Sequence, residues 1–304
     1  MMIERMAVEL GLPEAFIYAV ARGASHAYKV YSVPKRTGGR RDICHPSRVL
    51  KGLQRWLLRG VIENLPVHAA ATAYIRGRSI MDNARVHVAS RYLLRMDFTD
   101  FFPSITQVDI ARYIADHSVF FKDWNPADID VFCSIVCRNS ALTIGAPTSP
   151  ALSNAICYEM DTLLQTLGAS NHALYTRYAD DLFFSTVHPG VLKNVEASVP
   201  EIIRNLKLPA NLRINAAKTR HSSKRGARHV TGITLGSDGF AYVGRAYKRK
   251  IRALIHKVDS LDGPRRASLA GMIAYTTGLD PQFKNSLIEK YGLARVHKAM
   301  SGAG

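Results

Sequence analysis

The stretch RYADDLFFS, residues 177–185, decides the fold class, because it places two adjacent aspartates, Asp180 and Asp181, inside a segment typical of a buried strand. Neighbouring carboxylates repel each other, and burying an unpaired carboxylate is energetically expensive. Successive residues of a strand point to opposite faces, so both aspartates can serve one site only near a bend. We therefore predict a hairpin with the pair at its tip and a bound cation that offsets the repulsion.

A third carboxylate ends another apolar strand, YLLRMD (92–97). Beside the hairpin, Asp97 and Asp180 would supply hard oxygen ligands that suit Mg²⁺, which takes one or two carboxylates together with waters and substrate phosphates. Two such ions can activate an attacking oxygen and stabilise a leaving oxygen in phosphoryl transfer. The expected cofactor is therefore two Mg²⁺ ions, with Mn²⁺ as a substitute.

The positive charge of the chain is unevenly distributed. The formal net charge is +17, of which residues 1–203 carry +2 and residues 204–304 carry +15. A second basic island, residues 29–59, has nine Lys/Arg and one acidic residue. Two basic zones flanking the aspartates favour a nucleic acid partner over a merely solubilising surface, which usually mixes both signs.

Several function classes are excluded or disfavoured by the sequence. No apolar run is long enough for a membrane span, and the N-terminus lacks the features of a signal peptide, so we expect a cytoplasmic protein without a membrane partner. The four cysteines show no paired CxxC spacing; Cys133 and Cys137 indicate buried thiols rather than zinc ligands. Strands and helices alternate without a Gly-rich phosphate loop, which predicts a mixed α/β protein other than a P-loop or Rossmann protein.

Periodicity and turn residues predict the following elements. They are a helix pair over 3–22, a strand over 28–34, a helix with Leu50, Leu53 and Leu57 on one face, helices over 105–117 and 127–138, one helix over 149–167, a helix near 190–206, a strand NLRIN (211–215), a hairpin over 229–244 closed at 237–239, and a helical, basic remainder.

Six motifs, in order along the chain, resemble those of bacterial retron reverse transcriptases, and the resemblance runs from about residue 25 to the C-terminus. They are NARVH (83–87), MDFTDFFPSI (96–105), GAPTSPALSN (145–154), YADD (178–181), INAAKT (214–219) and VTG (230–232). Each motif is weak alone, but together and in the order of the family they make a specific pattern.

The resemblance implies an α/β (α+β) right-hand polymerase with fingers, a palm whose antiparallel sheet carries the YADD hairpin, and a helical basic thumb. The implied domains are 1–90 for the N-terminal helices and fingers, 91–234 for the palm with a fingers segment inserted at about 110–145, and 235–304 for the thumb and RNA-binding region.

The resemblance also assigns catalytic roles. Asp97 and Asp180 would ligate the metals, Phe98 would add its backbone carbonyl, and Asp181 would be the third carboxylate, closer to the primer end. Lys218 would be the general acid for the leaving pyrophosphate. The alternative for Lys218 is an ordinary solvated lysine.

Nucleotide contacts follow from the same resemblance. Phe102 would block a ribose 2′-OH, and its alternative is a plain core residue. Further nucleotide-binding residues would be Lys35, Arg40, Arg41, Asp100, Phe101, Ala146 and Pro147. The family commonly has Gln where this chain has Ile144, so we expect Ile144 to line the pocket without a polar contact. The implied RNA-binding residues are Asn83, His87, Val230, Thr231, Gly232, Arg245, Lys248, Arg249 and Arg252.

The function implied by the resemblance is RNA-directed DNA synthesis from dNTPs. The enzyme would copy part of a cognate structured non-coding RNA, priming from an RNA 2′-OH, and would yield a branched RNA–DNA product (msDNA). A role in phage defence with a separate effector protein is also implied. The alternatives are another defence-associated or intron-derived reverse transcriptase, a non-catalytic RNA-binding scaffold of the same fold, and a two-metal nuclease, which the lack of nearby Glu and His ligands disfavours.

Overall fold

The computed structural model describes residues 1–34 and 38–301. The chain divides into two compact units. The first unit comprises Met1–Arg76, Leu94–Phe184 and Pro189–Arg220, and the second comprises Gly77–Leu93, Ser185–His188 and His221–Gly304.

The helices and strands are numbered in chain order. The helices are α1 (Met2–Leu10), α2 (Glu14–Arg22), α3 (Arg48–Gly60), α4 (Ile80–His87), α5 (Gln107–Asp116), α6 (Pro126–Val136), α7 (Ser149–Ile156), α8 (Tyr158–Ser170), α9 (Val191–Arg204), α10 (Arg245–His256), α11 (Gly263–Leu279), α12 (Pro281–Tyr291) and α13 (Leu293–Met300). The strands are β1 (Tyr28–Pro34), β2 (Arg40–Pro46), β3 (Tyr92–Asp97), β4 (Leu174–Tyr178), β5 (Asp181–Thr186), β6 (Arg220–Ser223), β7 (Arg228–Val230), β8 (Ile233–Leu235) and β9 (Ala241–Val243).

Local sequence chemistry explains where the helices of the first unit begin. The Ser47 side chain accepts a hydrogen bond from the Leu50 amide at the start of α3, and α3 then buries the predicted apolar face of Leu50, Leu53 and Leu57. Reciprocal capping boxes open α5 at Thr106 and α6 at Asn125. These caps satisfy amide groups that a helix leaves unpaired at its first turn.

Two of the predicted elements are wrong in detail. The single helix expected over 149–167 is two helices, α7 and α8, because the buried Cys157 ends one and starts the next. The apolar periodicity continues through this break, so the sequence pattern did not reveal it. The segment NLRIN is not a strand. Only Ile214 forms a bridge, to Phe98, where the partner strand β3 has already ended.

The central antiparallel arrangement that positions the aspartates is a four-stranded sheet with the order β4-β5-β3-β6. β4 and β5 form the predicted hairpin, and Ala179 and Asp180 are the residues between them. Leu182, Phe183 and Phe184 of β5 are fully buried, which anchors the hairpin in the core. A separate two-stranded ribbon pairs β1 with β2 from Tyr28↔Pro46 to Pro34↔Arg40.

The second unit contains a small sheet and a helical bundle. The predicted hairpin over 229–244 is present as β8 and β9, and β7 adds a third antiparallel strand. Helices α10 to α13 pack around one apolar cluster that includes Ile251, Ile255, Leu269 and Leu287. In the part of the chain that the structure describes, no helix combines the length and the apolar character that crossing a membrane would require.

Candidate active site

Asp97 and Asp180 lie together at one end of the strands of the central sheet. Asp97 ends β3 and is only 4% exposed, and Asp180 follows Ala179 at the tip of the β4–β5 hairpin. The Phe98 amide donates a hydrogen bond of 3.1 Å to the Asp180 carbonyl, so the two chain segments are joined at this point. Burial, and then the negative charge of Asp97, raise the pKa of Asp180 above its ordinary value.

Lys218 forms an ion pair with Asp97. It ends a short 3₁₀ helix, Ala216–Lys218, and its Nζ lies 2.6 Å from Asp97 Oδ1. The Lys218 side chain is 51% exposed, so the ion pair is open to solvent on the lysine side. A backbone hydrogen bond also joins the segment before Lys218 to the end of β3, because the Asn215 amide donates to the Asp97 carbonyl at 2.7 Å.

Asp181 occupies a different environment from the other two carboxylates. Arg95 on β3 donates to it through Nε at 3.0 Å and Nη2 at 2.8 Å. Burial raises the pKa of Asp181 to about 6, although Arg95 acts in the opposite direction. Among the described residues, no three His, Cys, Asp or Glu side chains are arranged to hold one metal ion. The structure therefore brings together two of the three predicted carboxylates and pairs the third with Arg95.

The residues at this site fit a hard divalent cation. Asp97 and Asp180 are close enough that the charge of Asp97 raises the pKa of Asp180, which is the repulsion that a bound cation would relieve. Mg²⁺ is usually bound by one or two carboxylates together with waters and substrate phosphates, and Asp97 and Asp180 supply two carboxylates.

Asp180, together with Lys218, the ion-pair partner of Asp97, lines a cavity of about 640 Å³, which is within the usual range for a small-molecule site. Cationic side chains and an aromatic cluster line it. The lining includes Arg40, Arg41, Tyr74, Phe98, Asp100, Phe101, Phe102, Arg138, Ile144, Asp180 and Lys218. The predicted Lys35 lies outside the described residues. Ala146 is buried, Pro147 is half-buried, and neither is among the described residues that line this cavity.

The aromatic wall of the cavity is formed by Phe102 and its neighbours. The half-buried Phe102 ring lies 5.3 Å from the Phe101 ring and 6.4 Å from the Tyr74 ring, between centroids. Asp100 is exposed, and its carbonyl accepts hydrogen bonds from the amide and the hydroxyl of Ser104. Its positive φ of 44° marks the tight turn that presents Phe102.

Tyr74 is a site residue that the sequence reasoning missed. Burial, and then the charge of Asp180, raise the pKa of Tyr74 to about 12. Its φ is 62°, an unusual value for a residue with a large side chain. It follows the segment HAAATA (68–73), which has no helical or strand periodicity, so no sequence signal pointed to it.

Gly145 allows the ribbon of β1 and β2 to approach the loop that carries Ile144. The Cys44 amide donates a hydrogen bond of 2.8 Å to the Ile144 carbonyl. Gly145 has a φ of 110°, and a Cβ there would lie 2.5 Å from the Cys44 carbonyl oxygen. Only glycine allows this approach, which brings β2 with Arg41 and the loop with Ile144 to the same cavity.

The predicted RNA contacts in the NARVH and VTG motifs need correction. Asn83, His87 and Val230 are fully buried, so their side chains are not on a surface that RNA can reach. His87 Nδ1 instead lies 2.7 Å from Ser185 Oγ. Thr231 and Gly232 form the turn between β7 and β8, with φ values of 49° and 84°.

Two of the cations predicted to contact RNA from α10 have partners within the protein, and their contact with RNA stays a prediction. Lys248 forms an ion pair of 2.6 Å with Asp280, and Lys248 and Arg252 both pack over the Phe283 ring. These side chains face the neighbouring helix α12. The exposed cations of α10 include Arg245 and Arg249.

Comparison with known proteins identifies the family. Residues 33–247 match the family described as reverse transcriptase (RNA-dependent DNA polymerase). The chain is 35% identical to the retron Ec83 reverse transcriptase of Escherichia coli over 287 residues, which cover 92% of this chain and 91% of that protein. It is 34% identical to the retron Ec73 reverse transcriptase of Escherichia coli, covering 86% of each.

Solved structures show the same fold. Telomerase from Candida albicans, in complex with a fragment of telomeric RNA, matches with a TM-score of 0.53 at 10% identity, over 90% of this chain and 56% of that chain. Apo telomerase from Candida tropicalis matches with a TM-score of 0.52 at 13% identity, over 92% of this chain and 63% of that chain. The predicted α/β polymerase fold with fingers, palm and thumb is thereby confirmed. On these matches, the chain belongs to the bacterial retron reverse transcriptases, which are RNA-directed DNA polymerases.

Proposed function

We propose that this chain copies part of a cognate structured non-coding RNA into single-stranded DNA from dNTPs, and that the cavity at Asp97 and Asp180 is its polymerase active site. The observation that carries the proposal is that Asp180, which lies beside the buried Asp97, lines one cavity together with Arg40, Arg41 and Phe102. Carboxylates for cations, guanidinium groups for phosphates and an aromatic ring for a sugar are the groups that nucleotide addition needs.

In this proposal Asp97 and Asp180 hold two Mg²⁺ ions, or Mn²⁺ in their place, with the Phe98 carbonyl as a further ligand. When bound, the ions make the attacking hydroxyl more acidic and stabilise negative charge on the leaving pyrophosphate. Asp181 serves as the third carboxylate on the primer side, where Arg95 holds it.

The other residues bind the nucleotide and move a proton. Arg40 and Arg41 pair with triphosphate oxygens, for which a planar guanidinium is well suited. Phe102 occupies the space that a ribose 2′-OH would need. Lys218, whose ammonium group lies beside Asp97, donates a proton to the leaving pyrophosphate.

The retron-specific features of the proposal rest on the family. They are priming from an RNA 2′-OH, a branched RNA–DNA product, a cytoplasmic location, and phage defence with a separate effector protein. We assign 1–90 to the N-terminal helices and fingers, 91–234 to the palm and 235–304 to the thumb. Exposed cations such as Arg245 and Arg249 would contact the RNA backbone, which contributes affinity without reading sequence.

The test is primer extension by the purified full chain on an RNA template, with Mg²⁺, Mn²⁺ or no divalent ion. We expect Asp97→Asn and Asp180→Asn to lower the rate by about 10²- to 10³-fold or more. The matched control is Asp116→Asn, because Asp116 is an exposed carboxylate on α5. Substantial DNA synthesis by Asp180→Asn would show that the metal site is misplaced, and RNA binding without synthesis by the unsubstituted chain would favour the scaffold alternative.

A further inference from the structure

A buried ion pair lies close to the tip of the YADD hairpin. Arg177 on β4 donates to Asp161 on α8 through Nε at 2.8 Å and Nη2 at 2.7 Å, and both side chains are completely buried. The Tyr175 hydroxyl donates a third hydrogen bond, of 2.8 Å, to the same carboxylate. A buried ion pair contributes little net stability, because desolvation offsets the attraction. Stability alone therefore does not explain a guanidinium at this position.

The remaining arm of Arg177 contacts the tip of the hairpin. Its Nη1 donates a hydrogen bond of 3.2 Å to the Ala179 carbonyl, which belongs to the peptide unit that leads into Asp180. Ala179 is buried and has a φ of 55°, a conformation that residues with side chains rarely adopt. Since a peptide unit is planar, a bond to this carbonyl restricts the direction in which Asp180 leaves the tip.

The backbone of Arg177 is held from its other side by the segment that leads to Tyr74. The Arg177 amide donates to the Ala70 carbonyl at 2.8 Å, and the Thr72 amide and hydroxyl donate to the Arg177 carbonyl at 2.8 and 2.9 Å. One residue thus links α8, the hairpin tip and the segment that places Tyr74 in the cavity.

We infer that Arg177 is a positioning residue for Asp180, acting through its hydrogen bond to the Ala179 carbonyl, with Asp161 fixing the guanidinium. This inference rests on the proposed function, because it assumes that Asp180 holds a divalent ion. Groups that orient metal ligands typically change metal affinity about 10- to 100-fold when they are removed.

The experiment measures binding of Mn²⁺ to the full chain by EPR of the free ion, together with thermal unfolding by circular dichroism. The main variant, Arg177→Met/Asp161→Leu/Tyr175→Phe, replaces the polar network by apolar side chains and leaves no unpaired buried charge. We expect it to unfold near the temperature of its control, Tyr175→Phe, and to bind Mn²⁺ about 10- to 100-fold more weakly. Tyr175→Phe removes one bond to Asp161 and leaves the bond to the Ala179 carbonyl in place, so its Mn²⁺ affinity should match that of the unsubstituted chain.

A second variant tests the same inference if the first variant does not fold. Arg177→Lys keeps a positive charge beside Asp161 but lacks the planar guanidinium, whose separate nitrogens reach the Asp161 carboxylate and the Ala179 carbonyl at the same time. We therefore expect Mn²⁺ binding about tenfold weaker. Three results would overturn the inference. The first is a folded variant that binds Mn²⁺ as tightly as Tyr175→Phe does, and the second is that Tyr175→Phe alone weakens Mn²⁺ binding as much as the main variant does. The third is loss of fold in both variants. Asp180→Asn separates the two proposals: unchanged Mn²⁺ binding there means that the metal site itself is misplaced.

Discussion

The buried imidazole of His87 should make the stability of the chain depend on pH. His87 is fully buried at the end of α4, and its Nδ1 lies 2.7 Å from Ser185 Oγ. Burial lowers the pKa of His87 from 6.5 to about 3, because the charged imidazolium would lose its hydration.

The direction of the effect follows from proton uptake. In the unfolded chain His87 takes up a proton below a pH of about 6.5, whereas in the folded chain it does so only near its lowered pKa. The full stability is therefore present above that range and is lost as the pH falls through it, by about 1.4 kcal/mol per pH unit. Between pH 7 and pH 5 the contribution of this one group is about 2 kcal/mol.

Denaturant unfolding at pH 7, 6 and 5 measures this contribution. We compare the unsubstituted chain with His87→Gln and with His256→Gln, which alters an exposed histidine on α10. As the pH falls, the free energy of unfolding should decrease less steeply for His87→Gln. The reason is that the unfolded chain of this variant takes up about one proton fewer in this window. His256→Gln should keep the original slope. Carboxylates titrate in all three proteins, so they cancel in the comparison. An unchanged slope for His87→Gln would show that the folded chain does not lower the pKa of His87.

Three further predictions concern the cavity and α10. Phe102→Ala should raise ribonucleotide use relative to deoxynucleotide use by about tenfold or more in primer extension, and an unchanged ratio would remove its assignment. Gly145→Ala should lower stability by about 1–3 kcal/mol in thermal unfolding, because its Cβ meets a backbone carbonyl. The control Gly52→Ala should not lower stability, because Gly52 is at a helix position with open space around it. Arg249→Ala should reduce the salt dependence of RNA binding by about one phosphate contact, whereas Lys248→Ala should mainly lower stability.

The meeting of Asp97 and Asp180 was predictable because carboxylates in apolar strands are unusual in a sequence. Adjacent aspartates in an apolar segment require a bend, and the structure has it, with Asp180 at the tip and Asp97 beside it. The bound cation stays a prediction. The pairing of Asp181 was not predictable, because Arg95 lies 86 positions away and the register of two strands decides which side chains face each other.

Away from the aspartates, the sequence could not show how residues pack against other elements of the fold. Spacing alone placed Lys248 and Arg252 on one helical face but could not show that α12 supplies Asp280 and Phe283 to that face. Likewise, the sequence suggests that a polar residue such as Asn83 lies on the surface, whereas Asn83 is fully buried. Motif order identified the family, whereas burial decides which motif residues can touch a ligand.

The most direct test of the account is the nucleic acid that accompanies the chain when it is expressed with its native flanking locus. The comparison is the double variant Asp180→Ala/Asp181→Ala, purified in the same way. We expect a short single-stranded DNA that resists RNase, retains an RNA stub and is absent from the variant. RNA alone with both proteins would contradict the account, and DNA without attached RNA would retain the polymerase but refute retron-type priming.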